Sequence, residues 1–247
     1  MTTRAEFLGR IRAEMRKTGG LFPATIAERP AHPAVVAETV RRELAPRWPE
    51  TLARFRGEFE RVGGTFHRAR SADEIPALVA GIARARDARR LIAWHPDAIG
   101  RDWGPALAAE GLEAHAMPPG PADSPAERLR LREVCAAADL GLTGVDLAVA
   151  ETGTLVLRSG AGRPRSTSLL PPYHVAVFDR GALVDSLHQL GILLEAWHEG
   201  APPAGDGAMI SFITGPSRTA DIELTLTRGV HGPREVHAVF VESEIRG

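Results

Sequence analysis

Apolar positions in the first sixty residues recur at helical spacing. Three such periods are present, over 3–17, 35–44 and 52–62. The proline-bearing stretch 21–33 has no clear period and predicts an extended linker. The pattern therefore predicts a helical segment and linker over 1–61, ahead of a main domain over 62–247. A packing or dimerisation arm is favoured over a ligand-contacting lid, because terminal elements are usually structural or oligomeric.

From Gly64 onward, short apolar runs alternate with helical periods. Strands are predicted at 65–68 and 91–94, and a third β segment at 112–117. Helices between and after them begin at pairs typical of capping boxes, Ser71 with Glu74 and Ser124 with Glu127. Alternating strands and helices predict a mostly parallel sheet covered on both faces, which is an α/β fold with three αβα layers.

The middle of the chain has a different pattern. Short apolar strands follow one another without helices at 140–142, 147–150, 155–157 and 175–178. This pattern predicts a β-hairpin-rich insertion in the parallel fold. A helix predicted over 186–197, capped by Asp185, follows the last of these strands.

Composition narrows the class of protein. Thirty basic and thirty-one acidic residues give a net charge of −1, which disfavours binding to nucleic acid. The N-terminus has no apolar signal core and no run of eighteen apolar residues occurs, so we expect a cytoplasmic protein without a membrane span. The single cysteine, Cys135, cannot hold an iron–sulfur cluster by itself. No metal is predicted, since no His and carboxylate spacing with metal character is present.

The stretch 209–241 contains the densest set of candidate ligand-binding residues. An apolar strand leads into a loop with Thr214, Gly215, Ser217 and Thr219, and a second glycine loop with His231 and Gly232 follows. We expect these loops at the carboxyl end of a buried strand, where an open α/β sheet binds ligands. The alternative is that the loop hydroxyls form hydrogen bonds only with the backbone of the loop itself and bind no ligand.

Between the two loops lie Asp221 and Glu223, and their role depends on conformation. In a strand, Thr219 and both carboxylates share one face. In a helix, Thr219 is an N-cap and Asp221 fills the first turn. Either way, the acidic pair disfavours phosphate binding by this loop alone. Asp221 and His231 are candidate catalytic residues, His231 as a proton carrier, although a turn histidine bonded to backbone is as common.

Three segments carry a resemblance to a known family: AVAETGTLVLRSG, LLPPYHVAVFD and TGPSRTADIELTLTRGVHGPREVHAVFV. They resemble the signature blocks of the lactate utilization protein C family, whose shared module is the LUD domain. The resemblance implies a fold similar to the phosphosugar isomerase and CoA-transferase-like superfamily. It also implies a role in bacterial oxidation of L-lactate to pyruvate, with iron–sulfur clusters carried only by partner subunits.

The turn Glu151-Thr152-Gly153-Thr154 suggests a second kind of chemistry. In the CoA-transferase branch of that superfamily, a glutamate beside a glycine is the acyl-accepting nucleophile, and the resemblance extends that role to Glu151. Amides at Gly153 and Thr154 would then stabilise an oxyanion. A hydrogen-bonded turn glutamate is the common alternative.

Arg158, Arg163 and Arg165 surround a glycine loop followed by hydroxylated residues. Guanidinium groups bind carboxylate or phosphate through paired hydrogen bonds, so these residues predict a small-anion site. A solvated flexible loop is equally consistent with the pattern. The segment GAGRPR lacks the third glycine of a dinucleotide fingerprint, which disfavours nicotinamide binding.

Two hypotheses follow. In the first, the chain is a component of an L-lactate-oxidising assembly, without a cofactor of its own, that binds a partner and a small carboxylate or phosphate. In the second, it is a self-sufficient enzyme acting on a phosphosugar, nucleotide or CoA ester through Glu151. A homo-oligomer is compatible with both.

Overall fold

The structure is a computed structural model that describes residues 3–17, 30–120, 122, 124–199, 206–220 and 226–245. Its helices are α1 Arg4–Lys17, α2 Pro33–Leu44, α3 Trp48–Arg61, α4 Ile75–Arg84, α5 Pro96–Ile99, α6 Gly104–Ala109, α7 Pro125–Ala137, α8 Ser166–Leu169 and α9 Leu187–Trp197. Its strands are β1 Thr65–Ala69, β2 Arg90–Ala93, β3 Glu113–Ala116, β4 Leu140–Gly144, β5 Leu147–Val149, β6 Thr154–Gly160, β7 Tyr173–Asp179, β8 Leu183–Val184, β9 Asp206–Ile213, β10 Arg218–Ala220, β11 Leu226–Arg228 and β12 Glu235–Val241.

A six-stranded sheet forms the centre of the main domain. Its order is β1-β12-β7-β4-β2-β3, and every pair of neighbours is parallel. The central strands β7 and β12 are apolar and buried along most of their length, because helices or a second sheet cover both faces. The predicted α/β class with a mostly parallel sheet is confirmed.

The hairpin-rich segment forms a second, four-stranded sheet of order β8-β5-β6-β9. Here β6 runs antiparallel to both β5 and β9. The apolar strand that precedes Thr214 is β9, and it belongs to this second sheet. The sequence pattern predicts this strand in the parallel sheet, which is wrong, because an apolar run does not show which of two sheets a strand joins.

The helices before the main domain pack onto it. Phe55 and Phe59 of α3 are fully buried, and Phe55 contacts Phe178 edge to face at 5.3 Å. Ala37 of α2 packs with Leu190 and Leu193 of α9 against the second sheet. The predicted boundary at 61 and 62 thus falls at the end of α3, whose buried side is part of the main core. Residues 18–29, most of the predicted linker, lie outside the described residues.

Helix capping differs from the sequence prediction at two of three sites. Ser124 accepts a hydrogen bond from the Glu127 amide at 3.1 Å, as predicted. The cap of α9 is Ser186 and not Asp185, since the Ser186 hydroxyl accepts from the Gln189 amide. Ser71 makes no side-chain capping bond. Adjacent polar residues compete for one capping position, and their spacing alone does not decide between them.

Candidate functional site

A cavity of about 380 Å³ opens at the carboxyl ends of β2, β4, β7 and β12. We call it the carboxyl-end cavity. The charged side chains that line it are Arg41, Asp146, Arg158, Arg163, Asp179, Arg180 and Glu244, and the indoles of Trp94 and Trp197 complete its walls. Its volume lies within the about 300–1,000 Å³ typical of small-molecule sites, and its position is the usual ligand position in an open α/β sheet.

One carboxylate organises two of the arginines. Asp146 follows the end of β4, and its side chain is only 12% exposed. It accepts hydrogen bonds from the Arg158 backbone amide at 2.7 Å and from Arg158 Nε at 3.0 Å, and Arg163 Nη1 lies 3.4 Å away. The Arg158 guanidinium also lies over the Trp197 ring, 4.2 Å from its centroid. These contacts hold both guanidinium groups in place at the cavity wall.

The loop that carries Arg163, which we call the arginine loop (158–165), has a well-held backbone. Gly160 and Arg163 exchange backbone hydrogen bonds, and the Gly162 carbonyl accepts from the His95 amide at 2.9 Å. Trp94 Nε1 donates to the Pro164 carbonyl at 3.2 Å. These bonds fix the loop against the end of β2. Of the three arginines predicted here, Arg158 and Arg163 line the cavity, whereas Arg165 is exposed just before α8 and does not.

Several other predicted residues meet at a second place, which we call the threonine–glycine joint: Thr152, Gly153, Thr154, Thr214 and Gly215. The Thr154 hydroxyl lies 2.8 Å from the hydroxyls of both Thr152 and Thr214. Gly153 and Gly215 have positive φ, and each backbone lies against the end of α3. A Cβ on Gly153 would lie 2.4 Å from the Phe59 nitrogen, and one on Gly215 would lie 2.7 Å from the Val62 carbonyl oxygen. The glycines permit close packing between loops and helix.

Glu151, beside the joint, contacts the start of a helix. Its carboxylate accepts a hydrogen bond from the Leu187 amide at 2.7 Å, and its backbone amide donates to the Asp185 carbonyl. A carboxylate at a helix N-terminus stabilises the exposed amides there. Glu151 is exposed and does not line the carboxyl-end cavity. The structure therefore gives this residue a structural contact and separates it from the arginines.

Ser217, His231 and Gly232 form a third group, near the amino end of β12. The Ser217 hydroxyl accepts a hydrogen bond from the His231 amide at 3.3 Å, and the Ser217 amide donates to the Pro233 carbonyl. The His231 side chain is exposed. We expected these loops at the carboxyl end of a sheet strand, but this group lies at the opposite edge of the parallel sheet from the cavity.

The segment between the two glycine loops is partly described. β10 and β11 pair as antiparallel strands, with Thr219 opposite Thr227, so the strand alternative holds for both flanks. Asp221 and Glu223 lie outside the described residues.

Buried histidines lie in the parallel sheet, away from the cavity. His67 Nε2 is 3.0 Å from His237 Nδ1, and Thr143 Oγ1 is 2.8 Å from His174 Nε2. Burial lowers the pKa of His174 to about 3, with a smaller contribution from His237. Burial, followed by the charges of Arg86 and His67, lowers the pKa of His237 to about 4. Both histidines are therefore neutral at pH 7 and form part of the buried core.

Three further findings concern cofactors and membranes. Cys135 is buried, its thiol lies 3.3 Å from the Ser166 hydroxyl, and burial raises the pKa of that thiol. In the described part of the chain, no three His, Cys, Asp or Glu side chains are grouped as metal ligands would be. No helix of that part combines the length and the apolar character needed to cross a bilayer.

Among the cavity residues that sequence reasoning missed are Asp146, Arg41 and Trp197. Asp146 stands directly after a buried strand and before a hairpin, a position typical of ligand-proximal residues. Arg41 interrupts the apolar face of a helix that the sequence assigned to an appendage. Trp197 ends α9, and nothing in its local pattern indicated a site.

Fold and site together define an α/β protein with a parallel sheet, an antiparallel second sheet and an arginine-lined cavity at the carboxyl edge. The sequence profile described as the LUD domain matches residues 52–241, and the chain belongs to this family.

Named relatives agree with this assignment. The chain is 42% identical over 113 residues to lactate utilization protein C of Halalkalibacterium halodurans, covering 46% of this chain and 48% of that protein. It is 40% identical over 108 residues to the protein of the same name from Shouchella clausii, covering 43% and 45%. The matched stretch thus spans about half the length of these curated relatives. A crystal structure of a DUF162 family protein from Deinococcus radiodurans has a similar fold, with a TM-score of 0.53 at 23% identity over 78% of this chain and 98% of that one.

Proposed function

We propose that this chain is a component of a bacterial system that oxidises L-lactate to pyruvate, and that it binds a small anion in the carboxyl-end cavity. The observation that carries the proposal is an arginine-lined cavity at the carboxyl edge of the parallel sheet in a chain of the LUD domain family. Relatives at about two-fifths identity bear the name lactate utilization protein C.

The chemistry of the cavity suits a carboxylate or phosphate. The guanidinium groups of Arg158 and Arg163, both in contact with Asp146, form part of the cavity wall, where they can donate hydrogen bonds to an anion. The Trp197 indole adds an apolar surface beside them. A small organic acid has both an anionic group and an apolar body, which these walls match.

Electron transfer requires other subunits in this proposal. Oxidation of lactate to pyruvate releases two electrons and two protons, and an iron–sulfur cluster needs several thiolate ligands. This chain has one cysteine, Cys135, which is buried against Ser166. We therefore propose that partner subunits with iron–sulfur clusters accept the electrons.

The alternative of a self-sufficient enzyme using Glu151 has less support. Its carboxylate accepts the Leu187 amide, and the turn that holds it packs against α3. A nucleophilic carboxylate has to reach a bound acyl group, whereas Glu151 lies outside the carboxyl-end cavity.

The test is to delete the gene for this chain in its native cells and to reintroduce either the unaltered gene or the R163L variant. Growth on L-lactate should require the unaltered chain, while growth on pyruvate should not. R163L removes a cavity guanidinium and should restore little growth on L-lactate. R84L, on the exposed surface of α4 and paired with Glu110, is the matched control and should restore growth fully.

Affinity capture from the same cells tests the partners. We expect co-purified protein with iron–sulfur absorbance that bleaches on addition of L-lactate. A colourless solitary chain, together with normal growth of the deletion strain on L-lactate, would contradict the proposal.

A further inference from the structure

Arg41 stands on a helix face that is otherwise apolar. Ala37, Val40 and Leu44 of α2 are buried, each at most 7% exposed. Positions 37, 40, 41 and 44 follow the spacing of a single helix face, so position 41 is where a further apolar residue would pack. The sequence places an arginine there instead, above a cavity rather than a core.

Arg41 lines three adjoining cavities. One is the carboxyl-end cavity, and a second, of about 660 Å³, lies between α2 and α9. A third, of about 420 Å³, lies toward Trp48 and Arg180. Arg41 is exposed, and a solvent-accessible side chain that borders all three cavities can reach a ligand in the cleft between α2 and the sheet.

The counter-ions of the cavity arginines are distributed unequally. Arg158 and Arg163 contact Asp146, and Arg180 pairs with Glu244 at 2.8 Å. No carboxylate of a described residue pairs with the Arg41 guanidinium. A guanidinium at a cavity wall without a protein counter-ion is suited to an anionic ligand.

The position of Arg41 is fixed by the packing of α2. Ala37 packs against the second sheet and α9, and the Ala34 amide donates to the Glu199 carboxylate at 2.6 Å. Val40 and Leu44, on either side of position 41, are buried as well, so the packing of α2 places Arg41 at the border of the cleft.

The lining of the cavity indicates the class of anion. Guanidinium groups and the indoles of Trp94 and Trp197 border the same space, which favours an organic acid with an apolar body over inorganic phosphate. A carboxylate also matches the planar fork of a guanidinium with two parallel hydrogen bonds.

We propose that Arg41 binds the carboxylate of a small organic monocarboxylate in the carboxyl-end cavity. The helix that carries it ends before residue 52, where the family match begins, so a segment outside that match completes the site. This inference rests on the proposed ligand site but is independent of the proposed lactate-oxidising partners.

Isothermal titration of the full chain with L-lactate, pyruvate and inorganic phosphate tests the proposal. We expect at least one of the two acids to bind more tightly than phosphate. R41L should weaken the binding of that acid by about tenfold or more, since a charge-assisted hydrogen-bonded pair is lost. R41K keeps the positive charge but lacks the planar guanidinium, so its affinity should lie between those of the unaltered chain and R41L. R42L, one position further on, lines only the second cavity and is the matched control, with an expected change below about twofold.

Thermal unfolding of each variant shows whether a loss of affinity is caused by a loss of the folded structure. Leucine at position 41 suits the apolar face of α2, so R41L should fold, and R41K provides a second folded variant. Wild-type affinity in R41L, or an equal loss in R41L and R42L, would overturn the role of Arg41. If phosphate binds and neither acid does, the assigned ligand class is wrong. A loss in R163L but not in R41L would overturn this inference while leaving the proposed ligand cavity intact.

Discussion

The arginine loop and the threonine–glycine joint are built from similar residues and end in different environments. The arginine loop contains one positive-φ glycine, Gly162, beside Arg163, and the joint contains two, Gly153 and Gly215, beside hydroxylated side chains. In the arginine loop, backbone bonds to His95 and Trp94 hold the chain so that Arg163 faces a cavity. In the joint, the glycines bring the chain within contact of α3. The comparison teaches that a glycine loop presents its side chains to a cavity only where its neighbours leave space.

The largest expected effect is on the stability of the joint. Gly153→Ala forces a Cβ against the Phe59 backbone at positive φ, and we expect the free energy of unfolding to fall by about 3 kcal/mol. Chemical denaturation measures it. Gly191→Ala in α9, where a Cβ meets no atom within 4 Å, is the control and should be neutral or slightly stabilising. A G153A variant that is stable but has lost anion binding would move the ligand site to the joint.

A smaller loss is expected at the cavity. Asp146→Ala removes the carboxylate shared by Arg158 and Arg163 and should lower the free energy of unfolding by about 2 kcal/mol. Small-anion affinity should also change, because both guanidinium groups then lose their contact with this carboxylate. Asp97→Ala, at an exposed carboxylate, is the control. An unchanged unfolding midpoint in D146A would show that the arginines are held by other contacts.

The parallel sheet, which carries the buried histidines, should respond to pH. Burial lowers the pKa of His174 to about 3 and of His237 to about 4, so the unfolded chain takes up protons first as the pH falls below about 6.5. The free energy of unfolding should therefore decrease by about 1 kcal/mol per histidine between about pH 6.5 and about pH 5.5. H174Q should show a shallower slope, and H188Q, at an exposed position, the same slope as the unaltered chain. A slope unchanged in H174Q would assign the titration to other groups.

The smallest effect is expected at Glu151. Glu151→Gln keeps an acceptor for the Leu187 amide and removes only the charge at the start of α9, so stability should change by about 0.5 kcal/mol or less. Small-anion affinity and growth on L-lactate should be unaffected. Loss of growth with an intact fold would restore Glu151 as a catalytic candidate and reverse the comparison between the two regions.

Much of the fold could be predicted from local pattern. The periods that predicted helices near 3–17, 35–44 and 52–62 correspond to α1, α2 and α3. The unbroken apolar run at 175–178 became a strand of the parallel sheet. These signals are local, because a buried face repeats with the period of its own element.

The site was harder to predict because it depends on contacts between distant residues. Thr214 followed an apolar strand, as a ligand loop should, but that strand pairs with β6 in the second sheet. Arg41 reaches the cavity from a helix more than a hundred residues before Arg158. Arg158 and Arg163 combined a recognisable loop with a position in the cavity, and their contacts with Asp146 could not be predicted from spacing.

The start of the family match inside α3 has a practical consequence. An expression fragment cut at that boundary would divide α3 between Thr51 and Leu52 and discard α2 entirely. It would lose Trp48, which stacks on Phe240, as well as the cation at position 41. Screens for small molecules should therefore use the whole polypeptide, since a trimmed version would report weak binding for reasons unrelated to the ligand.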